Sequence, residues 1–148
     1  MSDDILTLVW FKRDLRVLDH APLTEAAEIG RVLPVYVIEP EVIEAADFDA
    51  LHWDFIRESL IDLNASLEEL GVSLFIQQGE VCDVFQRLHQ RFRFSQISAH
   101  EETGNALSYR RDRRLANWAQ AAGVALKETP QNGVVRRLED RDGWSKVW

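Results

Sequence analysis

A single cysteine, Cys82, among 148 residues excludes an internal disulfide and any cysteine-rich metal site, and it fits a reducing cytoplasm. Long apolar runs are missing as well. No stretch approaches the roughly 20 residues of a membrane span, and the opening Met1-Ser2-Asp3-Asp4 is acidic where a secretory signal would be basic, so no membrane partner is expected. Glycine is scarce, with 7 in the chain. None of them follows the first apolar strand in Gly-x-Gly-x-x-Gly or Walker spacing, so that turn is not built to cradle phosphate. Neither Cys82 nor any serine has nucleophile-elbow context. His20, His52, His89 and His100 never fall at the i, i+4 spacing of a helical zinc pair. Each therefore reads as structural or exposed, and no metal ligand or catalytic residue is expected. There is no internal repeat and no low-complexity segment.

Basic residues are scarce in one part of the chain only. Residues 1–85 hold 5 Lys/Arg against 18 Asp/Glu, a balance of -13, whereas residues 86–148 hold 12 against 7, a balance of +5. The whole carries -8, which argues against nucleic-acid binding by net charge alone. The arginines of the second part cluster at Arg87, Arg91 and Arg93, at Arg110 to Arg114, and at Arg136, Arg137 and Arg141. A solvated helix face with a basic tail is the simpler reading. A surface for DNA or an acidic partner is the sharper one.

What is present is a regular alternation of strand and helix signals. Ile5–Phe11 is a near-continuous apolar run, as a strand covered on both faces should be. A helix starting near Pro22 and stopping at Gly30 follows, then a strand over Val32–Ile38 in which Pro34 forfeits a ladder donor and belongs near an end or irregularity. Trp53, Ile56, Leu60, Leu63, Leu67 and Leu70 form one helical stripe that Gly71 ends. Val72–Ile76 is a third strand, Val81, Val84, Phe85 and Leu88 a third helix stripe, and Phe94–Ala99 a fourth strand. A helix capped by Asn105 turns Leu115, Trp118 and Ala122 inward before Gly123, and Val124–Leu126 is a short fifth strand. Five strands joined by helical crossovers give an α/β fold with a doubly wound, five-stranded parallel sheet, order 3-2-1-4-5, flanked by helices. Residues 1–130 form the domain. From Pro130 the pattern breaks, and 131–148, with Trp144 and Trp148, reads as the start of an interdomain linker.

That strand order puts the topological switch between strands 1 and 4, where open α/β sheets keep their ligands. It brings Phe11, Lys12 and Arg13 to the same sheet edge as His100, Glu101 and Glu102, flanked by Glu39 after strand 2 and by Gly104. An aromatic wall, cations and paired carboxylates suit a planar, polar ligand. The plainer reading has Arg13 and Arg16 pairing with Asp14, Asp19 or Glu101 merely to pin loops. For Asp14 and Arg16 that plainer reading is preferred.

The run Trp10-Phe11-Lys12-Arg13-Asp14-Leu15-Arg16, followed by Asp19-His20-Ala21-Pro22-Leu23, resembles the opening signature of the DNA photolyase/cryptochrome family. It departs from that signature at Lys12 and in the Asp19–Pro22 stretch. His100-Glu101-Glu102-Thr103-Gly104-Asn105 with Tyr109-Arg110-Arg111-Asp112, and Val32–Pro40, are similar to further segments of the same family. The resemblance implies the N-terminal α/β domain of a light-driven DNA repair enzyme or related photoreceptor. In such proteins a C-terminal helical domain, absent from this chain, holds FAD and works on pyrimidine dimers in damaged DNA. The FAD site therefore lies outside this chain, and the fragment alone is not expected to be catalytic. The first domain can hold an antenna pigment, for which Phe11, Lys12, Arg13, Glu39, Glu101 and Glu102 are the expected cofactor-binding residues. The positions where folate-binding relatives carry a His and an Asn-Glu pair correspond to Ala46 and Leu107-Ser108, which favours a deazaflavin-like pigment over a folate. A stand-alone nucleotide-binding module of stress-protein type, or an interaction domain using the Arg110–Arg114 helix, are the alternatives.

Overall fold

A computed structural model of the chain describes residues 5–40, 50–101 and 106–130, the side chains of 50–52 and 107 aside. Among the described residues nine elements alternate: β1 (Leu6–Phe11), α1 (Ala21–Ile29), β2 (Arg31–Ile38), α2 (Ala50–Glu69), β3 (Phe75–Gln78), α3 (Val81–Phe92), β4 (Gln96–His100), α4 (Ala106–Ala122) and β5 (Ala125–Thr129). The strands form one sheet in the order β3-β2-β1-β4-β5, with every pairing parallel. The expected doubly wound architecture is the one observed.

The near-continuous apolar sequence of β1 follows from its central place. Alternate side chains serve opposite faces: Leu8 and Trp10 join a core with Val81, Val84, Phe85 and Leu88 of α3 and Leu115 and Ala119 of α4. Val9 and Phe11 join a second core with Leu23 and Ala26 of α1 and Leu63 and Leu67 of α2. The sheet is thus covered by α1 and α2 on one side and by α3 and α4 on the other. Trp10 meets Phe85 edge to face, with ring centroids 5.4 Å apart.

Pro34 lies inside β2 rather than at its end, opposite Val9 of β1. Pairing with β3 begins only at Val35, so over residues 31–34 β2 has a single neighbouring strand and a missing donor is tolerated. The third strand starts three residues later than the sequence suggests, because Val72 and Leu74 pack against the second core before pairing begins. Leu60, Leu63 and Leu67 are buried as expected, but Leu70 is 65% exposed. The helix unwinds just there, with Gly71 at φ +92° and its amide donating to the Glu68 carbonyl at 3.0 Å. On α4, Leu115 is buried and Trp118 half-buried, while Ala119 rather than Ala122 completes the inward face. The proposed Asn105 cap and residues 131–148 lie outside the described residues. No helix among the described residues is long and apolar enough to cross a membrane.

The placement of the α2 leucines makes a sharp contrast. Leu67→Ala should cost about 2–5 kcal/mol in urea unfolding, the usual range for a buried leucine. Leu70→Ala, three residues later, should stay within about 0.5 kcal/mol.

Candidate functional site at the sheet switch

β1 and β4 are adjacent, yet their crossovers leave on opposite faces, so the chain parts at the carboxyl edge of the sheet. Here the loop leaving β1 is fastened to His100, the last residue of β4. Asp14, 2% exposed, accepts from the Lys12 amide at Oδ1 (2.8 Å) and meets both His20 Nε2 (2.7 Å) and His100 Nδ1 (2.6 Å) at Oδ2. His20 is also the N-cap of α1, its Nδ1 accepting from the Leu23 amide at 3.1 Å. A nitrogen that accepts a backbone N–H carries no proton, so the ring proton of His20 sits on Nε2 and is donated to Asp14. His100 likewise has only a carboxylate oxygen facing Nδ1, which assigns that nitrogen as a donor. Phe11, His20 and His100 pack in sequence, Phe11 tilted against His20 and His20 edge to face with His100, with successive centroids 4.6 Å apart.

One carboxylate thus gathers N–H groups from β1's exit loop, from the start of α1 and from the end of β4. Burial by itself would push the Asp14 carboxyl up. Hydrogen bonds from His100, His20 and the Lys12 amide outweigh it and hold the group well below the ordinary carboxylate range. Among the described residues, Asp14, His20 and His100 are the one His/Cys/Asp/Glu grouping close enough to hold a metal ion. Their chemistry does not fit one. His20 already uses Nδ1 as an acceptor, so its Nε2 would have to surrender the remaining ring proton to become a ligand.

On the opposite face a second set of charges closes over Trp10. Lys12 Nζ donates to the His100 carbonyl at 3.1 Å and pairs with Asp112 at 3.4 Å. Arg111 reaches Glu39 at 2.7 Å and Asp112 at 3.0 Å. Both cations lie over the indole of Trp10, Lys12 Nζ at 4.3 Å and the Arg111 guanidinium carbon at 4.8 Å from its centre. These side chains are largely buried, 7% exposed for Lys12 and 6% for Arg111, so solvent screens them far less than surface pairs.

The residues picked out from the sequence divide by depth. Phe11 is fully buried behind the histidines. Lys12 and Glu39 are held in the ion-pair set. Arg13 is exposed, and Glu101 is half-buried with its amide donating to the Thr129 carbonyl at 2.8 Å. Glu102, Gly104 and Ala46 lie outside the described residues. Arg16 pins its loop, but through carbonyls: Nε donates to Leu18 O at 3.0 Å and Nη2 to Asp19 O at 3.2 Å. The histidines are where reading the sequence falls short. Taken singly, His20 and His100 read as unrelated, and only the adjacency of β1 and β4 puts both on Asp14. Burial and the neighbouring Glu80 push the Cys82 thiol up to about 11, which disfavours the thiolate form.

The model of the DNA photolyase family matches residues 7–141. The chain belongs to the DNA photolyase family. It is similar to the chloroplastic/mitochondrial cryptochrome DASH of Arabidopsis thaliana, 33% identical over 105 residues, which is 66% of this chain and 18% of that protein. It is also similar to cryptochrome-1 of Sylvia borin, 30% identical over 118 residues, 79% of this chain and 19% of that one. The chain therefore spans about a fifth of the length of the curated relatives it matches. Among solved structures, an archaeal photolyase from Sulfolobus tokodaii with two FAD molecules superposes with a TM-score of 0.82 at 23% identity, covering 97% of this chain and 33% of its own. A Synechocystis cryptochrome superposes at 0.79 and 24% identity, covering 85% and 27%. At such identities these two show the fold alone: that of the photolyase/cryptochrome N-terminal α/β domain. Within this family domain, the opening motif supplies Trp10, Lys12 and Asp14, and the Arg111-Asp112 pair of α4 closes over them.

The depressed Asp14 ionisation contributes stability that is complete above the carboxyl's unfolded value, near 4, and is lost as pH falls below it. Asp14→Asn should lower unfolding free energy at pH 7 by on the order of 3 kcal/mol, since buried N–H groups lose an acceptor. It should also flatten the decline in stability between pH 5 and 3. An unchanged acid limb in urea titrations would contradict this role.

Proposed function

We propose that this chain is the antenna-bearing domain of a photolyase/cryptochrome-type flavoprotein, and that the pigment lies at the carboxyl edge of β1 and β4. The supporting observation is the fastening of the β1 exit loop to the end of β4 there. Lys12 and Asp14 both bind His100, which ties the exit of β1 to the end of β4 as one charged rim. Phe11 backs that rim, while Lys12 and Glu39 stiffen it through Asp112 and Arg111. Arg13 and Glu101 are the groups that meet the polar edge of a planar pigment, and Glu102 joins them by its place in the sequence. A deazaflavin-like or flavin-like ring suits this set better than a folate.

In the full-length protein, excitation caught here passes to FAD in a C-terminal helical domain, with residues 131–148 opening the connection to it. There the flavin drives splitting of pyrimidine dimers in damaged DNA, in a cytoplasmic setting. A photoreceptor role for the same flavin is the second reading, favoured because the curated relatives matched are cryptochromes. The family match over residues 7–141 favours both over a stand-alone nucleotide-binding module.

Titrating the chain with a deazaflavin, FMN and a methenyl-folate, and following absorption and fluorescence, tests the pigment site. The deazaflavin or flavin should show a shifted band and altered emission. Arg13→Ala and Glu101→Gln should each weaken binding on the order of tenfold, the worth of one charged hydrogen bond. No spectral response to any of the three, or a response to folate alone, would contradict the proposal.

A further inference from the structure

The charge imbalance between the two parts of the sequence becomes, in the fold, an imbalance between the two faces of the sheet. Helices α1 and α2 carry seven carboxylates against one cation, Arg57, whereas α3 and α4 carry six arginines against two aspartates, Asp83 and Asp112. Doubly wound topology sends the first two helices to one side and the last two to the other, so each side has its own sign. The two helix layers are separated by the sheet, on the order of 20 Å or about two helix diameters. That is more than twice the screening length of about 8 Å at physiological salt. The acidic side therefore does not cancel the basic one, and the overall -8 says little about what the basic face attracts.

Arg87 and Arg91 on α3, and Arg110 and Arg113 on α4, are exposed one or two turns apart, and Arg93 follows directly after α3. The cations are all arginine, whose planar fork suits phosphate oxygens and stacking rings better than an ammonium does. An aromatic ring stands among them: Tyr109 is 65% exposed, with the Arg113 guanidinium 5.9 Å from its centre. None of these side chains belongs to the ion-pair set around Trp10. We infer that the α3/α4 face is a binding surface for single-stranded nucleic acid, with the arginines meeting phosphates and Tyr109 stacking on a base. This surface is separate from the pigment rim and does not rest on pigment binding. A strand is favoured over an acidic protein because an exposed tyrosine paired with arginine offers a stacking platform that a carboxylate-rich chain would not use.

Fluorescence anisotropy of a labelled 15-mer of oligo-dT with the whole chain, from 25 to 200 mM salt, tests this. Blunt duplex DNA and polyglutamate serve as competing probes. Engaging about four phosphates gives a slope of log K against log salt near -3. Arg87→Gln with Arg110→Gln should roughly halve that slope, and Tyr109→Ala should weaken oligo-dT binding on the order of tenfold. The Glu58→Gln, Asp62→Asn pair on the acidic side should change binding less than twofold. Circular dichroism confirms that each variant, altered only at exposed positions, remains folded, and the salt slope of the unaltered chain needs no variant at all. Absence of salt-sensitive oligo-dT binding would overturn the inference. So would polyglutamate or duplex DNA binding as tightly as the single strand with Tyr109→Ala without effect.

Discussion

The carboxylate of Asp14 is the constraint on which the rest of the sheet edge depends. A buried charge is tolerated only where it is hydrogen-bonded on all sides, and Asp14 meets that demand with N–H groups from three separate pieces of chain. Each donor is already fixed by something else: the Lys12 amide by its exit from β1, His20 by capping α1, His100 by its place in β4. The carboxylate therefore converts three local structures into one rigid corner. The β1 exit loop, the start of α1 and the end of β4 are held together, and the ion pairs over Trp10 secure the same corner from the other face.

The corner explains how the photolyase family motif relates to the fold. The opening motif reads as a charged run, but its members divide between two faces of one sheet edge. Trp10 and Lys12 turn toward α4, while Phe11 turns toward α1. Asp14 reaches His20 and His100 on that α1 side. Exposed Arg13 is left at the outside. A single stretch of sequence thus supplies the core, the fastening and the outer rim of the same sheet edge. The same doubly wound winding that brings these residues to one edge also sorts helix charge by face, because helices earlier and later in the chain fall on opposite sides.

Much of this was legible beforehand, for particular reasons. β1, α3 and the strand order could be read because their apolar spacing is dictated by burial on known faces. Val81, Val84, Phe85 and Leu88 are all inward. The limits of β3 and the last turn of α2 were not legible, since Val72 and Leu74 are apolar for packing reasons that precede strand pairing, and Leu70 continues a pattern the helix has already abandoned. At the site, the sequence identified the edge and its charges, but not the histidine pair. Two histidines 80 positions apart carry no shared local signal, and a histidine as N-cap is outside the usual Ser, Thr, Asp and Asn set. Arg111 and Asp112 were visible as part of a family segment, yet their closure over Trp10 follows only from α4 lying beside β1's exit.

Long-range nitrogen–proton NMR of the histidine side chains tests the central claim most directly. The account predicts His20 protonated on Nε2 alone and His100 protonated on Nδ1, with both ring protons slow to exchange because Asp14 holds them in the interior. A proton on Nδ1 of His20, or ring protons of both residues exchanging as fast as in a free imidazole, would mean that the carboxylate does not join the β1 exit loop to the start of α1 and the end of β4.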